Sequence, residues 1–325
     1  MRFVILGAGA VGGTIGGRLA DAGYDVVLLA RGEHAQVMRR DGLRLATPER
    51  VIQVVVPVVD RPQDLPLRDD DVLVLTTKTQ QTAVLLDALP RRDLPVVCAQ
   101  NGVANERIAL RRFPDVYAMV VLLPAVHLEP GRVDAQGTPY SGLLDVGRYW
   151  HGVDDVARAV AEALSASGFV SQPVEQIMRW KYAKLLRNLG NALEALCGHD
   201  LDEDALKLVK DLDARARDEA ISVYRAEGIA WASDEEWVQR RQKQVELAPV
   251  EGRSRGGGST YQSLARGAPT LEGDYLNGEI VLLGRKHALP TPVNLLLQQE
   301  AAALARAGGG PGTMRPRELV SRLAT

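Results

Sequence analysis

The 325 residues are enough for two domains, since a single hydrophobic core seldom grows to that size. With 46% hydrophobic and 25% charged residues the composition is that of a globular chain, and 39 Lys plus Arg against 41 Asp plus Glu leave a net charge of −2, with no cationic excess to hold a nucleic acid. The longest apolar runs are too short to cross a bilayer and the chain starts directly in a strand, so the expectation is a cytoplasmic protein without a membrane partner.

Residues 3–7 (FVILG) form an apolar run ending in glycine, the pattern of a strand buried on both faces of a parallel sheet. A helix with small and apolar residues from Val11 to Ala22 follows, and Asp25 to Ala30 reads as the second strand of a βαβ unit. Strands are expected at 51–59, 72–77, 95–99 and 117–126, edge strands within 132–148, an amphipathic helix at 154–165 and a last extended piece at 169–174. Beyond that point the pattern turns helical: 175–197, 203–227, a segment opened by the capping box of Ser233 and Glu236, then 271–287 and 292–307, with no strand returning. The reading is an α/β chain, with a Rossmann-type doubly wound sheet over 1–173 followed by an all-helical domain over 174–325. The glycine-rich stretch 251–258 reads as a loop able to reach a ligand.

Gly7, Gly9 and Gly12, within Gly7-Ala8-Gly9-Ala10-Val11-Gly12, lie where the first strand meets its helix, the place where backbone amides approach a pyrophosphate. A tight packing turn is the alternative. At the tip of the second strand stands Arg31 with no acidic residue before it, which suits the 2′-phosphate of NADPH, a solvated surface arginine being the other option. Lys78 and Asn101 follow later strands and are expected at the same carboxyl edge of the sheet. In the helix expected at 175–197, Lys184, Asn188 and Asn191 fall within roughly 60° of arc, a polar stripe beside leucines. Such a stripe serves a ligand or an interhelical hydrogen-bond network, and Lys181 is a rival to Lys184. The five histidines and the two cysteines, Cys98 and Cys197, show no metal-ligand spacing, so no metal is expected.

These motifs, with TKTQQT around Lys78, QNG at Asn101, the Lys-Asn-Asn segment after a tryptophan and STYQSLARGAPTLEGDYLNGEI farther on, resemble the ketopantoate reductase family over nearly the whole chain. The resemblance implies reduction of a 2-oxo acid, 2-dehydropantoate, by NADPH, a step of pantothenate biosynthesis, with Lys184 as general acid and Glu272 as the second catalytic residue. It further implies Ser259, Asn188, Asn191 and Asn101 as substrate contacts, and Asn101, Lys78, Ala125 and Glu272 as cofactor contacts. Departures are the three-residue step between the asparagines, where the family has four, and Ala192 in place of a proline. They leave open a related 2-oxo acid, an opine-type or 3-hydroxy acid dehydrogenase, or a non-catalytic NADPH sensor. The oligomeric state also stays open, a homodimer included.

Overall fold

Every residue of the first strand, β1 (Arg2–Leu6), is buried, flanked by parallel strands on both sides and packed against the helix that follows it. The computed structural model describes residues 1–127, 129–254 and 256–323. Its chain separates into two compact units, Met1–Lys181 with Ser233–Arg255, and Tyr182–Ala232 with Gly256–Thr325.

In the first unit, α1 (Ala10–Asp21) and β2 (Asp25–Leu29) complete a βαβ motif and α2 (Gly32–Asp41) follows. The chain continues through β3 (Leu43–Ala46), β4 (Val51–Val54), β5 (Val58–Val59), β6 (Asp71–Leu75), α3 (Thr82–Asp87) and β7 (Val96–Cys98). Next come α4 (Asn105–Leu110), β8 (Val116–Met119), β9 (Ala125–Val126), β10 (Arg132–Ala135), β11 (Gly137–Pro139), β12 (Val146–Arg148) and α5 (Asp155–Ala166). A seven-stranded sheet runs β12-β8-β7-β6-β1-β2-β5, parallel except for β12. Chain order reverses at β1, with β2 on one side and β6 on the other, which makes the loops after β1 and β6 the switch point where such sheets bind ligands.

Two expected strands divide. The stretch 51–59 becomes β4, in a second sheet ordered β4-β3-β10-β9, and β5 at the edge of the first, with Pro57, which has no N–H for a ladder, between them. Likewise 117–126 ends as β8 at Met119, and after Pro124 the chain re-enters the second sheet as β9. Ala125 is therefore buried opposite Ala135, not at the end of the fifth strand of the main sheet.

The helical part contains α6 (Ile177–Asn188), α7 (Asn191–Cys197), α8 (Glu203–Glu227), α9 (Asp234–Arg241), the strand β13 (Val245–Leu247), α10 (Ser259–Ala265), α11 (Asn277–Lys286), α12 (Pro292–Arg306) and α13 (Pro316–Leu323). The core of the second unit joins Leu193, Leu196, Leu212, Val293, Leu297 and Leu319. The expected single helix 175–197 is broken at Leu189 and Gly190. A Cβ at Gly190 would fall 2.5 Å from Asp213 Oδ1, so α8 can lie this close only against a glycine, and the Leu189 carbonyl accepts from Asn277 Nδ2 at 3.2 Å instead of from a continuing helix.

A strand does return after residue 174, against expectation, since β13 pairs antiparallel with β11. Arg240 on α9 adds a bidentate contact of 2.5 and 2.7 Å to the buried carboxylate of Asp145. Residues 174–181 and 233–255 thus pack with the first unit, a different division from a cut at 173, and the described elements of the second unit are helical. Of the 251–258 stretch, Arg255 lies outside the described residues. No helix among the described residues is long and apolar enough to cross a membrane.

Candidate active site

The three glycines of the first turn have three different physical reasons. Gly7 sits at φ +114°, a conformation that side chains avoid. A Cβ on Gly12 would lie 2.2 Å from the Gly7 carbonyl and 2.5 Å from Thr76 Oγ1, so its absence lets α1 pack onto the strand. Gly9 faces open space, with nothing within 4 Å of where a Cβ would stand, and it caps α1 without any side-chain acceptor. An uncapped helix start behind an open glycine backbone is a cradle of the right shape and polarity for a pyrophosphate, with Ala8, Ala10 and Val11 supplying the surrounding backbone.

The neighbouring loops close on this turn. Thr76 Oγ1 donates to the Gly7 carbonyl at 2.7 Å, the Ala8 amide donates to Leu29 at the end of β2, and Gln100 Nε2 donates to the Thr77 carbonyl at 2.6 Å. Lys78 and Asn101, both half-buried, follow Thr77 and Gln100. Arg31 caps α2 just beyond β2, exposed, with its guanidinium in no ion pair among the described residues. Four of the sequence-derived positions therefore share the carboxyl edge of the main sheet, whereas Ala125 lies in the second sheet.

In the second unit Lys184 and Asn188 are one helical turn apart on α6, Lys184 half-buried and Asn188 only 4% exposed. The Asn188 amide nitrogen is buried with no hydrogen-bond acceptor among the described residues. Asn191 opens α7 beyond the break, so the expected common helix face with Asn188 is replaced by two helix ends meeting at Gly190. Asn191 lies beside the start of α10, its Oδ1 3.5 Å from where a Cβ on Gly258 would be, and Ser259 is the first residue of that helix. Glu272 is half-buried just before the turn Gly273–Tyr275, and Leu271 packs in a cluster with Tyr261 of α10 and Ala195 of α7.

A family profile described as ketopantoate reductase PanE/ApbA matches residues 3–149, and its C-terminal counterpart matches 176–305. A 2-dehydropantoate 2-reductase of Halobacterium salinarum is 32% identical over 302 residues, which cover 90% of this chain and 95% of the relative. The chain belongs to the ketopantoate reductase family. Among solved structures, a PanE/ApbA family ketopantoate reductase from Ralstonia eutropha JMP134 is 30% identical with TM-score 0.77, over 95% of this chain and 99% of that one. A D-mandelate dehydrogenase in complex with NADH is 25% identical with TM-score 0.76, over 94% and 99%. The chain is an oxidoreductase of the 2-dehydropantoate 2-reductase type, with an NAD(P)-binding fold in its first unit.

Some residues that brace these candidate elements, in each unit by itself, carry no signal in the sequence. His34 accepts the Gly131 N–H at Nδ1, 2.8 Å away, so the ring hydrogen is on Nε2 and is donated to the Ala8 carbonyl, also at 2.8 Å. Burial lowers the pKa of this imidazole, in keeping with a neutral ring that braces the glycine turn. Glu194, one turn into α7, accepts the Gly258 N–H at 2.9 Å and so fixes the entry to Ser259. The partners of both side chains are backbone groups distant in sequence, and only a known fold could have pointed to them.

Proposed function

We propose that this chain reduces a 2-oxo acid, ketopantoate, to the 2-hydroxy acid pantoate with NADPH. The observation that carries the reading is the buried amide of Asn188, a donor without an acceptor one turn from the ammonium of Lys184. A buried donor left unpaired costs about 1–3 kcal/mol, which an oxygen-rich ligand recovers on binding. The dinucleotide is held by Gly7 to Gly12, by Arg31 at its 2′-phosphate, and by Lys78, Asn101 and Glu272, while Ala125, buried in the second sheet, drops out of the set. Bound NADPH supplies the hydride. Lys184 polarises the ketone and delivers a proton to its oxygen as negative charge develops there, and Asn101, Asn188, Asn191 and Ser259 hold the remaining polar groups of the substrate. Glu272 orients Lys184.

The test is loss of NADPH absorbance with ketopantoate as substrate. Lys184→Ala is expected to lower turnover on the order of 10² or more while leaving dinucleotide binding nearly intact. Unchanged turnover removes Lys184 as the acid. A second reading, a different 2-oxo acid, is favoured by the short step from Asn188 to Asn191 across the Gly190 break. A panel of 2-oxo acids with larger and smaller side chains decides between them by kcat/KM. Micromolar NADPH binding without turnover of any carbonyl would point to a sensor.

A further inference from the structure

Behind the carboxyl edge of the main sheet lies a buried cluster that the proposed chemistry does not use. Lys181, 3% exposed, forms an ion pair with the fully buried Glu106 inside the first unit, and the same ammonium donates to the Gln100 carbonyl at 3.0 Å. A buried ion pair is a weak stabiliser, because apolar residues of similar volume do as well or better, so its presence calls for a geometric reason.

That reason lies in what Gln100 holds. It precedes Asn101, and its amide nitrogen donates to the Thr77 carbonyl at 2.6 Å and to Thr82 Oγ1 at 3.0 Å. The Thr82 hydroxyl donates to Asn105 Oδ1 at 2.7 Å, and Asn105 Nδ2 donates to Thr79 Oγ1 at 3.1 Å and to the Asn101 carbonyl at 3.5 Å. Thr77 and Thr79 flank Lys78. Gln100 and the left-handed Gly102, at φ +76°, flank Asn101. One continuous run of donors and acceptors therefore fastens the backbone on both sides of two proposed ligands, with the Lys181 ammonium at its root.

We propose that Lys181 is a positioning residue: paired with Glu106 and bonded to the Gln100 carbonyl, it fixes the Gln-Asn-Gly turn so that Asn101 is presented to nicotinamide and substrate. This rests on the reading of Asn101 as a ligand. Lys181 is thereby removed as a rival proton donor, since its ammonium is buried and engaged by a carboxylate and a carbonyl.

The decisive variant is Lys181→Met combined with Glu106→Met, which deletes both charges at nearly constant volume. The expected result is a cooperative unfolding transition close to that of the parent, kcat lowered about 10-fold or more, a raised KM for the oxo acid, and severalfold weaker dinucleotide binding by direct fluorescence titration. The alkaline limb of kcat against pH keeps its position, because the donor is untouched. A folded double variant with parental kcat, KM and binding overturns the proposal, as does displacement of the alkaline limb. Should the double variant not fold, Thr82→Val cuts the same run of bonds with a near-isosteric side chain, and parental kinetics and binding in it are equally fatal. Asn101→Ala is measured alongside. Parental kinetics in Asn101→Ala defeat the ligand reading and the proposal with it, whereas an impaired Asn101→Ala beside an unimpaired double variant defeats the anchoring alone.

Discussion

Two groups of buried amides in this chain behave in opposite ways. Behind the sheet edge of the first unit, the side-chain nitrogens of Gln100 and Asn105 each have two acceptors. At the end of α6 in the second unit, the nitrogen of Asn188 has none among the described residues. Elsewhere in the same helical unit, the Asn294 nitrogen donates to the Ala216 carbonyl and to Glu219, and the Asn277 nitrogen donates to the Leu189 carbonyl and to Asn294, so among the described residues a buried amide nitrogen without an acceptor is particular to Asn188. Paired amides fix backbone. On the proposed reading, a buried amide nitrogen left without an acceptor, one turn from a half-buried lysine, is kept for a ligand and carried at some expense in stability.

The largest effect is expected where a paired buried group is made into an orphan. Burial raises the pKa of Asp145 even though Arg240 opposes it, so the guanidinium is what keeps that carboxylate tolerable. Arg240→Ala should lower stability by about 3–5 kcal/mol in denaturant titrations at neutral pH, with partial recovery in acid as the carboxyl takes up a proton. A loss no greater than that of an ordinary surface substitution would mean that the 233–255 segment is not anchored to the first unit through this pair.

Next comes the direct comparison of the amides. Asn105→Leu should destabilise by about 1–3 kcal/mol by removing the acceptor of the buried Thr82 hydroxyl, whereas Asn188→Leu should leave the melting temperature unchanged or raised. For turnover, Asn188→Leu should cost on the order of 10-fold in kcat/KM, from the lost donor to substrate. If Asn188→Leu instead melts earlier and turns over normally, its amide is structural and the contrast between the two regions disappears.

How much of this was legible in the sequence follows from how local each cause is. The glycine turn could be read because Gly7, Gly9 and Gly12 answer to constraints set within one strand-turn-helix unit, a left-handed residue, an open face and a close approach. The break at Gly190 could not, because it is imposed by Asp213 on another helix and stabilised by Asn277 farther still. Strand β13 was equally hidden: three residues carry too little alternation to be seen, and β11 supplies the pairing. The spacing placed Lys184 and Asn188 one turn apart on a helix, as the structure has them, yet nothing in that spacing told Lys181, paired with Glu106, from Lys184.

Arg31 tests the exposed end of the nucleotide site. Arg31→Ala should weaken NADPH binding by roughly 10-fold, the loss of one charge-assisted contact to phosphate, and should barely change NADH binding. Equal loss for both coenzymes would assign the arginine to something other than the 2′-phosphate. Because Arg31 is exposed, its substitution should not move the melting temperature, in contrast to the buried positions above.

The smallest effect expected is the acid sensitivity of the glycine turn. His34 has its pKa lowered in the folded chain below the ordinary value of 6.5, chiefly by burial, so between the two values the unfolded chain binds more protons than the folded one. Stability therefore rises with pH across that window: the contribution is complete above pH 6.5 and falls away as pH drops toward the lowered value. The structural cause is specific, since a proton on Nδ1 would turn the acceptor facing the Gly131 N–H into a second donor and release one side of the brace on Ala8. Unfolding free energy measured across mildly acidic pH should show this slope in the parent chain and lose part of it in His34→Gln, whose amide keeps a donor and an acceptor but does not titrate. An identical slope in both proteins would place the acid sensitivity elsewhere and leave His34 as a static brace.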